Sequence, residues 1–524
     1  MTNYEKIYDE LLELGSLGEY DNKTALLKLG LLDDASYFLK RIEGLELAIL
    51  LSEELKSRDL SNAEKVELHY FIANIWSDIG KLKRTDKDEA WVWEQEELEN
   101  EIINIRYSLK YLIHSKVDNI ISNKRKCEIL TNYGNILSSI GRIAESVEIR
   151  DLALEIDPHF SMAKGNKGST FFYYSQHIYD IGHQAIFLNY AHKLLSEAIC
   201  GNIFPHVEEY YKQIIEILNR NCPEDILTKS YDLTSFSFGD SEEEIKYRKW
   251  ALKNRLFLNP LNDIGEFSIA ARDVLSTPSI TTDINTGPQF QGFFNQIKQE
   301  FVSARFLYYE GINQSEKHYS DNEVLLLDTK DYVKYGINIE KIKMAFRISY
   351  SIFDKIANFI NYYFNIGIND RRVNFRTMWY SNFDKKEIRD VFYKKENLPL
   401  RALYWISKDF FNSNIKDSIE LDSEEINKIR NYIEHRYVKV HEIEYHITKD
   451  LNTFPYGEDK LAYSVVIDDL EAKTLKLLKL ARSAILYLSQ AIFVEETHSH
   501  RNSEDRKLTL PINLNVYDNY KYQI

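Results

Sequence analysis

The sequence predicts an all-α protein, and three observations support this fold class. Glycine and proline are scarce, with 19 and 9 in 524 residues. Long segments rich in Leu, Ile, Glu and Lys carry apolar residues at helical spacing, and these residue types favour helix. Turn-forming residues cluster in only a few places, which separates long elements. Because the chain is too long for one ordinary core, we expect two or three helical domains.

The charge distribution restricts where a nucleic acid could bind. The formal net charge is -15, which argues against a protein that coats nucleic acid electrostatically. Residues 1–99 hold 23 acidic and 12 basic side chains, a net of -11, which leaves -4 for the rest of the chain. A local RNA contact is therefore compatible with the C-terminal part, whereas the acidic N-terminal part is a poor candidate for it.

Cysteine usage and the N-terminus predict a cytoplasmic protein without a cofactor. Cys127, Cys200 and Cys222 lack the spacing of a metal or redox site, which indicates a reducing compartment and no structural metal. The first residues, "MTNYEKIYDELLEL", are acidic and amphipathic, unlike a signal peptide. No uninterrupted apolar run approaches the ~18 residues of a membrane span, and no phosphate-binding loop or dinucleotide fingerprint is present. We expect no membrane partner.

Residues 1–225 are predicted to form a degenerate helical-repeat array. "ANIWSDIG" (Ala73–Gly80) and "GNILSSIG" (Gly134–Gly141) share one pattern, and the second continues as a helix hairpin closed by Pro158. The hairpin resembles a tetratricopeptide repeat (TPR), whose period is about 34 residues. The matching positions are Gly134, Leu137, Gly141, Ala153 and Pro158, with Ser146 where alanine is usual. An ordinary helical hairpin is the alternative.

The remaining chain divides into a connector, a bundle and a tail. Residues 226–288 are predicted to form a helical connector, in which Asn259-Pro260 stops a helix and "STPSITTDINTGPQ" (276–289) marks a boundary. Residues 289–497 are predicted to form a helical bundle. Its helices are expected near Phe290–Gly311, Ile339–Asn365, Leu398–Phe411, Ser423–Val440 and Asp469–Glu495. Residues 498–524 are predicted to be an extended tail, with "HSH" (His498–His500) as linker rather than metal site.

The segment "IRNYIEHRYVKVHE" (429–442) contains two arginine–histidine pairs five residues apart. Asp422 and Glu425 form a candidate capping box for its helix. A buried stripe is expected at Ile426, Ile429, Ile433, Tyr437 and Val440. Arg430, Asn431 and His435 then share a face that points away from the core. Because such pairs arise by chance in a chain of this composition, a solvated basic face is the default interpretation of the pattern alone.

Residues Phe290–Val494 resemble the HEPN family (higher eukaryotes and prokaryotes nucleotide-binding). The segments that carry the resemblance are "NQIKQEFVSARFLYYEG", "IEKIKMAFRISYSIFDKIANFINYYF", "NLPLRALYWISKDFF" and "IRNYIEHRYVKVHE". The family signature is an arginine, a polar residue and a histidine four to six positions after the arginine. It selects Arg430, Asn431 and His435 as catalytic residues, and leaves Arg436 and His441 as helix surface.

The resemblance implies metal-independent RNA cleavage by 2′-hydroxyl attack. His435 would move a proton and Arg430 would neutralise phosphate charge, while Asn431 would hold the imidazole or an RNA oxygen. It also implies a homodimer in which two such helices face each other across a two-fold axis.

We therefore predict an endoribonuclease of toxin or anti-phage defence type. Its TPR-like array would bind a protein ligand or regulator, because repeat arrays present concave binding surfaces. Two alternatives remain open at the level of the sequence. One is a catalytically silent HEPN module that binds RNA or nucleotide or serves as an antitoxin, and the other is a helical-repeat scaffold for protein interactions.

Overall fold

The computed structural model describes residues 3–84, 91–114, 120–283, 285–314, 317–411, 423–442 and 459–501. Within these ranges the chain forms seventeen α-helices and four short strands. The all-α class predicted from the scarcity of glycine and proline is confirmed.

The first ten helices form an array in which each helix contacts the next one along the chain. Their bounds are α1 (Asn3–Leu12), α2 (Asn22–Phe38), α3 (Ile42–Lys56), α4 (Asn62–Lys83), α5 (Glu96–His114), α6 (Asn123–Ser139), α7 (Ile143–Ile156), α8 (Ser161–Ser175), α9 (Ile181–Ala198) and α10 (Pro205–Asn221). Side-chain caps begin several of them, such as the capping box of Ser61 and Glu64 at α4. This arrangement agrees with a helical-repeat region.

The α6–α7 hairpin uses its small residues as the sequence predicts. The Ser146 hydroxyl donates a hydrogen bond to the Gly134 carbonyl at 2.8 Å, so the two helices approach closely. Gly141 forms the turn with φ of 87°, a backbone conformation that favours glycine. The earlier copy of the pattern differs, because Gly80 lies inside α4 and makes no turn.

The connector contains α11 (Glu224–Thr228) and α12 (Glu242–Lys253), followed by two short 3₁₀ turns at Pro260–Asp263 and Ser268–Ala270. The first turn is buried, and the Asp263 carboxylate accepts a hydrogen bond from Arg482 Nη1 at 2.5 Å. This part of the connector is therefore core rather than a solvated linker.

The bundle contains α13 (Gln289–Asn313), α14 (Ile337–Tyr363), α15 (Leu398–Phe411), α16 (Ser423–His435) and α17 (Ile467–Arg501). Helices α13, α14 and α15 all pack against α17. The first three of the five expected bundle helices agree with these bounds to within two residues, and the last one extends six residues beyond its expected end. Residues 498–501, which were expected in the tail, continue α17, and the rest of the tail lies outside the described residues.

Judged by length and composition only, helix α17 contains a stretch that is apolar enough to cross a membrane. However, 83% of that stretch is buried inside the protein. Its apolar composition is therefore explained by its position at the centre of the bundle.

Two strand pairs complete the structure. β1 (Tyr380–Asn382) pairs with β2 (Glu387–Ile388) in antiparallel orientation, and β3 (Tyr437–His441) pairs with β4 (Ala462–Val466) in parallel orientation. The predicted helix Ser423–Val440 is wrong after His435, because the alternating segment "YVKVH" is strand β3. Tyr437, expected in the buried stripe, is 42% exposed.

The array and the bundle share one hydrophobic core. A continuous cluster of buried side chains extends from Val66 in α4 to Ile492 in α17. A second cluster occupies α1 to α4. The array from α4 onward therefore belongs to the same hydrophobic core as the bundle.

Candidate functional site

Helix α16 holds the three predicted site residues on one side and the core on the other. Ile426 and Ile429 are buried at 2% and 0% exposure. Arg430 is half-buried, and Asn431 and His435 are exposed. The structure thus brings the three residues together on the outward face of the helix, as the periodicity predicted. Their catalytic role remains a prediction.

The Arg430 guanidinium is held in place by its neighbours. Its Nη1 donates a hydrogen bond to Asn431 Oδ1 at 3.0 Å. The guanidinium carbon lies 5.3 Å from the centroid of the Tyr350 ring, within the range of a cation–π interaction. Because none of the acidic side chains that the structure describes bonds to this guanidinium, its charge stays available to an anion.

Tyr350 and Asp354 lie one helical turn apart on α14 and form the floor beneath Arg430. Burial raises the pKa of the Asp354 carboxyl, against the opposing effects of a hydrogen bond from the Phe375 amide and of the Arg430 charge. Burial also raises the pKa of the Tyr350 phenol, and the nearby charges of Arg430 and Arg376 act in the opposite direction. The floor therefore brings together one half-buried aromatic ring, one carboxyl group and two cations.

His435 occupies the last position of α16 and its side chain is exposed. None of the described residues forms a hydrogen bond with its imidazole, so both ring nitrogens can reach a bound substrate. The preceding residue, Glu434, accepts a hydrogen bond from Arg347 Nε at 2.7 Å and ties the end of α16 to α14.

The second arginine–histidine pair does not form a site. Arg436 is exposed in the bend after α16, and its Nη1 donates to the Tyr432 hydroxyl and to the Lys460 carbonyl, each at 3.2 Å. His441 was expected on a helix surface, and that prediction is wrong. It lies in β3 at 2% exposure, with Nε2 3.3 Å from the Ser464 hydroxyl.

Glu425 fixes the other end of α16 to the bundle. Its carboxylate accepts hydrogen bonds from the Tyr463 hydroxyl at 2.8 Å and is 2.6 Å from Lys473 Nζ. Its predicted capping partner, Asp422, lies outside the described residues. Helix α16 is thus anchored at both ends to other elements, which orients its outward face.

Sequence reasoning missed the α14 residues of the site. Arg347, Tyr350 and Asp354 recur at spacings of three and four, so they share one face of a helix whose opposite face is buried. The available signal in the sequence was this spacing of polar side chains, which indicates that the helix has one polar face. Among the described residues, no group of three or more His, Cys, Asp or Glu side chains is placed to hold a metal ion.

Residues 281–495 match the family model described as LA2681-like HEPN. No curated protein and no solved structure gives a significant match to the chain. The resemblance read from the sequence is therefore confirmed for this part of the chain, and the HEPN match includes α13 to α16 and most of α17. HEPN domains generally act as ribonucleases or nucleotide-binding modules, and they commonly dimerise and bind RNA.

Proposed function

We propose that this chain is a metal-independent endoribonuclease whose catalytic residues are Arg430, Asn431 and His435. The observation that carries the proposal is the pairing of a solvent-accessible imidazole with a cation that has no acidic partner at hydrogen-bond distance among the described residues. Both belong to one helix, and Tyr350 and Asn431 hold the cation in position.

The cleavage follows from the chemistry of these side chains. A base removes the proton of the 2′-hydroxyl, whose oxygen attacks the adjacent phosphorus while the bond to the 5′-oxygen breaks. An acid returns a proton to the departing 5′-oxygen, so the products are a 2′,3′-cyclic phosphate and a 5′-hydroxyl. Histidine suits both proton transfers near neutral pH. Arg430 would neutralise the charge that gathers on the phosphate oxygens.

A second copy of the chain would complete the site. One base and one acid are needed on opposite sides of the phosphate, whereas α16 offers one exposed histidine. Two copies related by a two-fold axis would supply two His435 and two Arg430 side chains to one cleft. We therefore propose a homodimer formed through the HEPN domain.

Contacts along α15 support the proposal that the array regulates this site. Arg106 and Arg142 from the array both bond to Asp409 near the end of α15. The next residue, Phe410, packs against Tyr350 with ring centroids 6.1 Å apart, and Tyr350 lies under Arg430. A movement of the array would therefore be transmitted to Arg430 through the packed side chains of Phe410 and Tyr350.

A protein partner on the outer surface of the array is the proposed trigger. Leu27 in α2 and Leu50 in α3 are 60% and 69% exposed. Their surroundings belong to the acidic N-terminal region, which favours a protein over RNA. Such control suits a ribonuclease toxin or an anti-phage defence protein of the cytoplasm, since uncontrolled cleavage would harm the host cell.

The proposal is tested by incubating total RNA with purified wild-type and His435→Ala protein in excess chelator. We expect wild type alone to produce fragments that end in 2′,3′-cyclic phosphate, because the chemistry requires the imidazole and no metal. Leu27→Glu/Leu50→Glu protein serves as a matched surface variant and should cleave as wild type does in the absence of a partner. Equal cleavage by wild type and His435→Ala would contradict the assignment, and RNA binding without cleavage would favour a silent module.

A further inference from the structure

A cavity of about 210 Å³ lies where the array, the connector and the bundle meet. Residues 177–180, between α8 and α9, line it from the array, Pro260 and Leu275 line it from the connector, and Ser489 and Gln490 line it from α17. A water molecule takes up about 30 Å³ in the liquid, so the volume equals that of about seven waters. Most sites for drug-sized ligands are larger, at about 300–1,000 Å³. The volume therefore suits a single small ring system.

Hydrogen bonds to one connector residue hold the three walls of this cavity together. The Tyr179 hydroxyl oxygen lies 2.7 Å from the Ser276 hydroxyl oxygen and accepts a hydrogen bond from the Ser276 amide at 2.9 Å. The Ser489 hydroxyl of α17 donates to the Ser276 carbonyl at 2.7 Å. Because these bonds join the array, the connector and α17, the shape of the cavity is fixed before any ligand enters.

Gln490 brings an unsatisfied amide to the cavity. Its side chain is 3% exposed, and neither Oε1 nor Nε2 forms a hydrogen bond with the described residues. Burial raises the pKa of the Tyr174 phenol, and the Gln490 amide acts in the opposite direction, so one of its two N–H groups faces that hydroxyl at longer range. The other N–H group and the carbonyl oxygen remain for a ligand. A buried amide without partners costs free energy, which a ligand that bonds to it would recover.

The histidines of the cavity are neutral near pH 7. The Nδ1 atom of His177 is buried and has no hydrogen-bond partner among the described residues. Burial lowers the pKa of His177 to about 4. Burial also lowers the pKa of His183, against the opposing charge of Asp180. None of the described residues that line the cavity is a lysine or an arginine. A phosphate group would therefore meet no cation in it, whereas a neutral polar ring would meet hydrogen-bonding partners.

We propose that this cavity binds a neutral adenine compound, either the free base or its nucleoside. A glutamine amide presents an acceptor and a donor side by side, and this pair complements the amino group and the neighbouring ring nitrogen of adenine. His177 offers a further hydrogen bond through its unpartnered Nδ1. Ile178 and Leu275, each 4% exposed, and the buried Pro260 supply apolar walls for the faces of the base.

The cavity lies far along α17 from the face of α16. Helix α16 is joined to α17 by the ion pair between Glu425 and Lys473. The seventeen residues from Lys473 to Gln490 span roughly 25 Å of helix. A ligand in the cavity would touch the array, the connector and the bundle at once, so it would stabilise their packing and take no part in RNA cleavage. The adenine site therefore does not depend on the proposed ribonuclease function.

The test measures the affinity of full-length protein for adenine and for adenosine by isothermal titration calorimetry, and the melting temperature with and without each compound. Gln490→Leu is the site variant, because it removes the amide and keeps a side chain of similar size. Gln176→Leu is the matched control, because Gln176 precedes His177 in the chain but is exposed and does not line the cavity. Hypoxanthine, which carries a carbonyl in place of the amino group, is the mismatched ligand.

We expect adenine to raise the melting temperature of wild type and of Gln176→Leu alike, and to bind Gln490→Leu at least about tenfold more weakly. Hypoxanthine should bind wild type at least about tenfold more weakly than adenine, because its carbonyl cannot donate to Gln490 Oε1. Without ligand, Gln490→Leu should melt no earlier than wild type, since the amide has no partner to lose.

Three results would overturn the adenine site. The first is the absence of saturable binding of both adenine and adenosine to wild type up to about 1 mM. The second is equal affinity of wild type and Gln490→Leu for adenine, and the third is equal affinity of wild type for adenine and hypoxanthine. Tighter binding of adenosine than of adenine would identify the nucleoside as the ligand, and the reverse order would identify the free base.

Discussion

Two regions of the molecule use charge in opposite ways. Arg106 and Arg142 of the array meet Asp409 of α15, and we call this contact the seam. Asp409 is 7% exposed there and bonds to both arginines. On the outward face of α16, Arg430 rests on an aromatic ring and His435 is open to solvent. The buried charges of this contact are matched with each other, whereas none of the described acidic side chains bonds to Arg430 at hydrogen-bond distance.

The seam illustrates why its charges must be matched. Burial alone would raise the pKa of Asp409, but the charges of Arg106 and Arg142 hold it below its ordinary value. Lys408 is likewise matched, with its Nζ 2.7 Å from Glu94 and 2.9 Å from Glu99. Desolvation is costly for any one of these groups without its partner.

The largest expected effect comes from breaking the seam. Asp409→Asn leaves the buried Arg106 without its negative partner and Arg142 with Glu145 alone, and we expect a loss of about 3–5 kcal/mol of unfolding free energy. Urea denaturation followed by circular dichroism measures it. A loss below about 1 kcal/mol, the usual value for a surface pair, would show that the seam is not a tightly packed contact.

Gly141→Ala tests the contact between the array and α15 at a backbone position. Gly141 has φ of 87°, and an added Cβ would meet the Leu398 carbonyl oxygen of α15 at 2.1 Å. We expect a loss of about 2–3 kcal/mol from strain and displacement of α15. Gly287→Ala is the matched control, because a Cβ there meets no atom within 4 Å. Equal melting temperatures for the two variants would contradict the close approach of the α6–α7 turn to α15.

A buried histidine offers a contrast with the exposed His435. Burial lowers the pKa of His69 to about 4, although its bond to Asn104 acts in the opposite direction. The folded pKa is below the unfolded value of about 6.5, so the stabilisation is present above pH 6.5 and declines as the pH falls towards 4. Between pH 7 and pH 5 the unfolding free energy of the wild type should fall by about 1–2 kcal/mol more than that of His69→Gln. Urea unfolding at the two pH values measures it, and an unchanged pH dependence would contradict the burial of His69.

The smallest expected effect is on the α16 face itself. Glu434→Gln removes the pair with Arg347, whose side chain is 59% exposed, so we expect at most about 1 kcal/mol of destabilisation. The comparison with Asp409→Asn then measures the difference between the two regions directly. If Glu434→Gln destabilises as much as Asp409→Asn, the distinction between matched seam and open face fails.

The sequence predicted the bundle helices well, because each one buries a stripe that repeats at helical spacing. The end of α16 was missed, since β3 pairs with β4 from a distant part of the chain and local periodicity does not reveal such a partner. The connector helix expected to stop at Asn259-Pro260 ends earlier, at Lys253. The residues that follow lie in the core, because Asp263 bonds to Arg482, which is 219 positions later in the chain.

The candidate site was predictable only in part. The outward direction of Arg430, Asn431 and His435 follows from the period of one helix, and the resemblance chose this triplet over Arg436 and His441. Tyr350, Asp354 and the neighbouring Arg376 come from positions 59 to 85 residues earlier in the sequence than His435. Only tertiary packing brings them to α16, so no local pattern could have joined them to it.

The most direct test of the account compares the two histidines of the segment "IRNYIEHRYVKVHE" in one cleavage assay. His435→Ala should lower the rate of RNA cleavage at least about a hundredfold without changing the melting temperature. His441→Ala should melt earlier, because His441 is buried in β3, yet cleave as wild type does below its melting temperature. Cleavage at the wild-type rate by His435→Ala would contradict the central claim that the open face of α16 carries the chemistry.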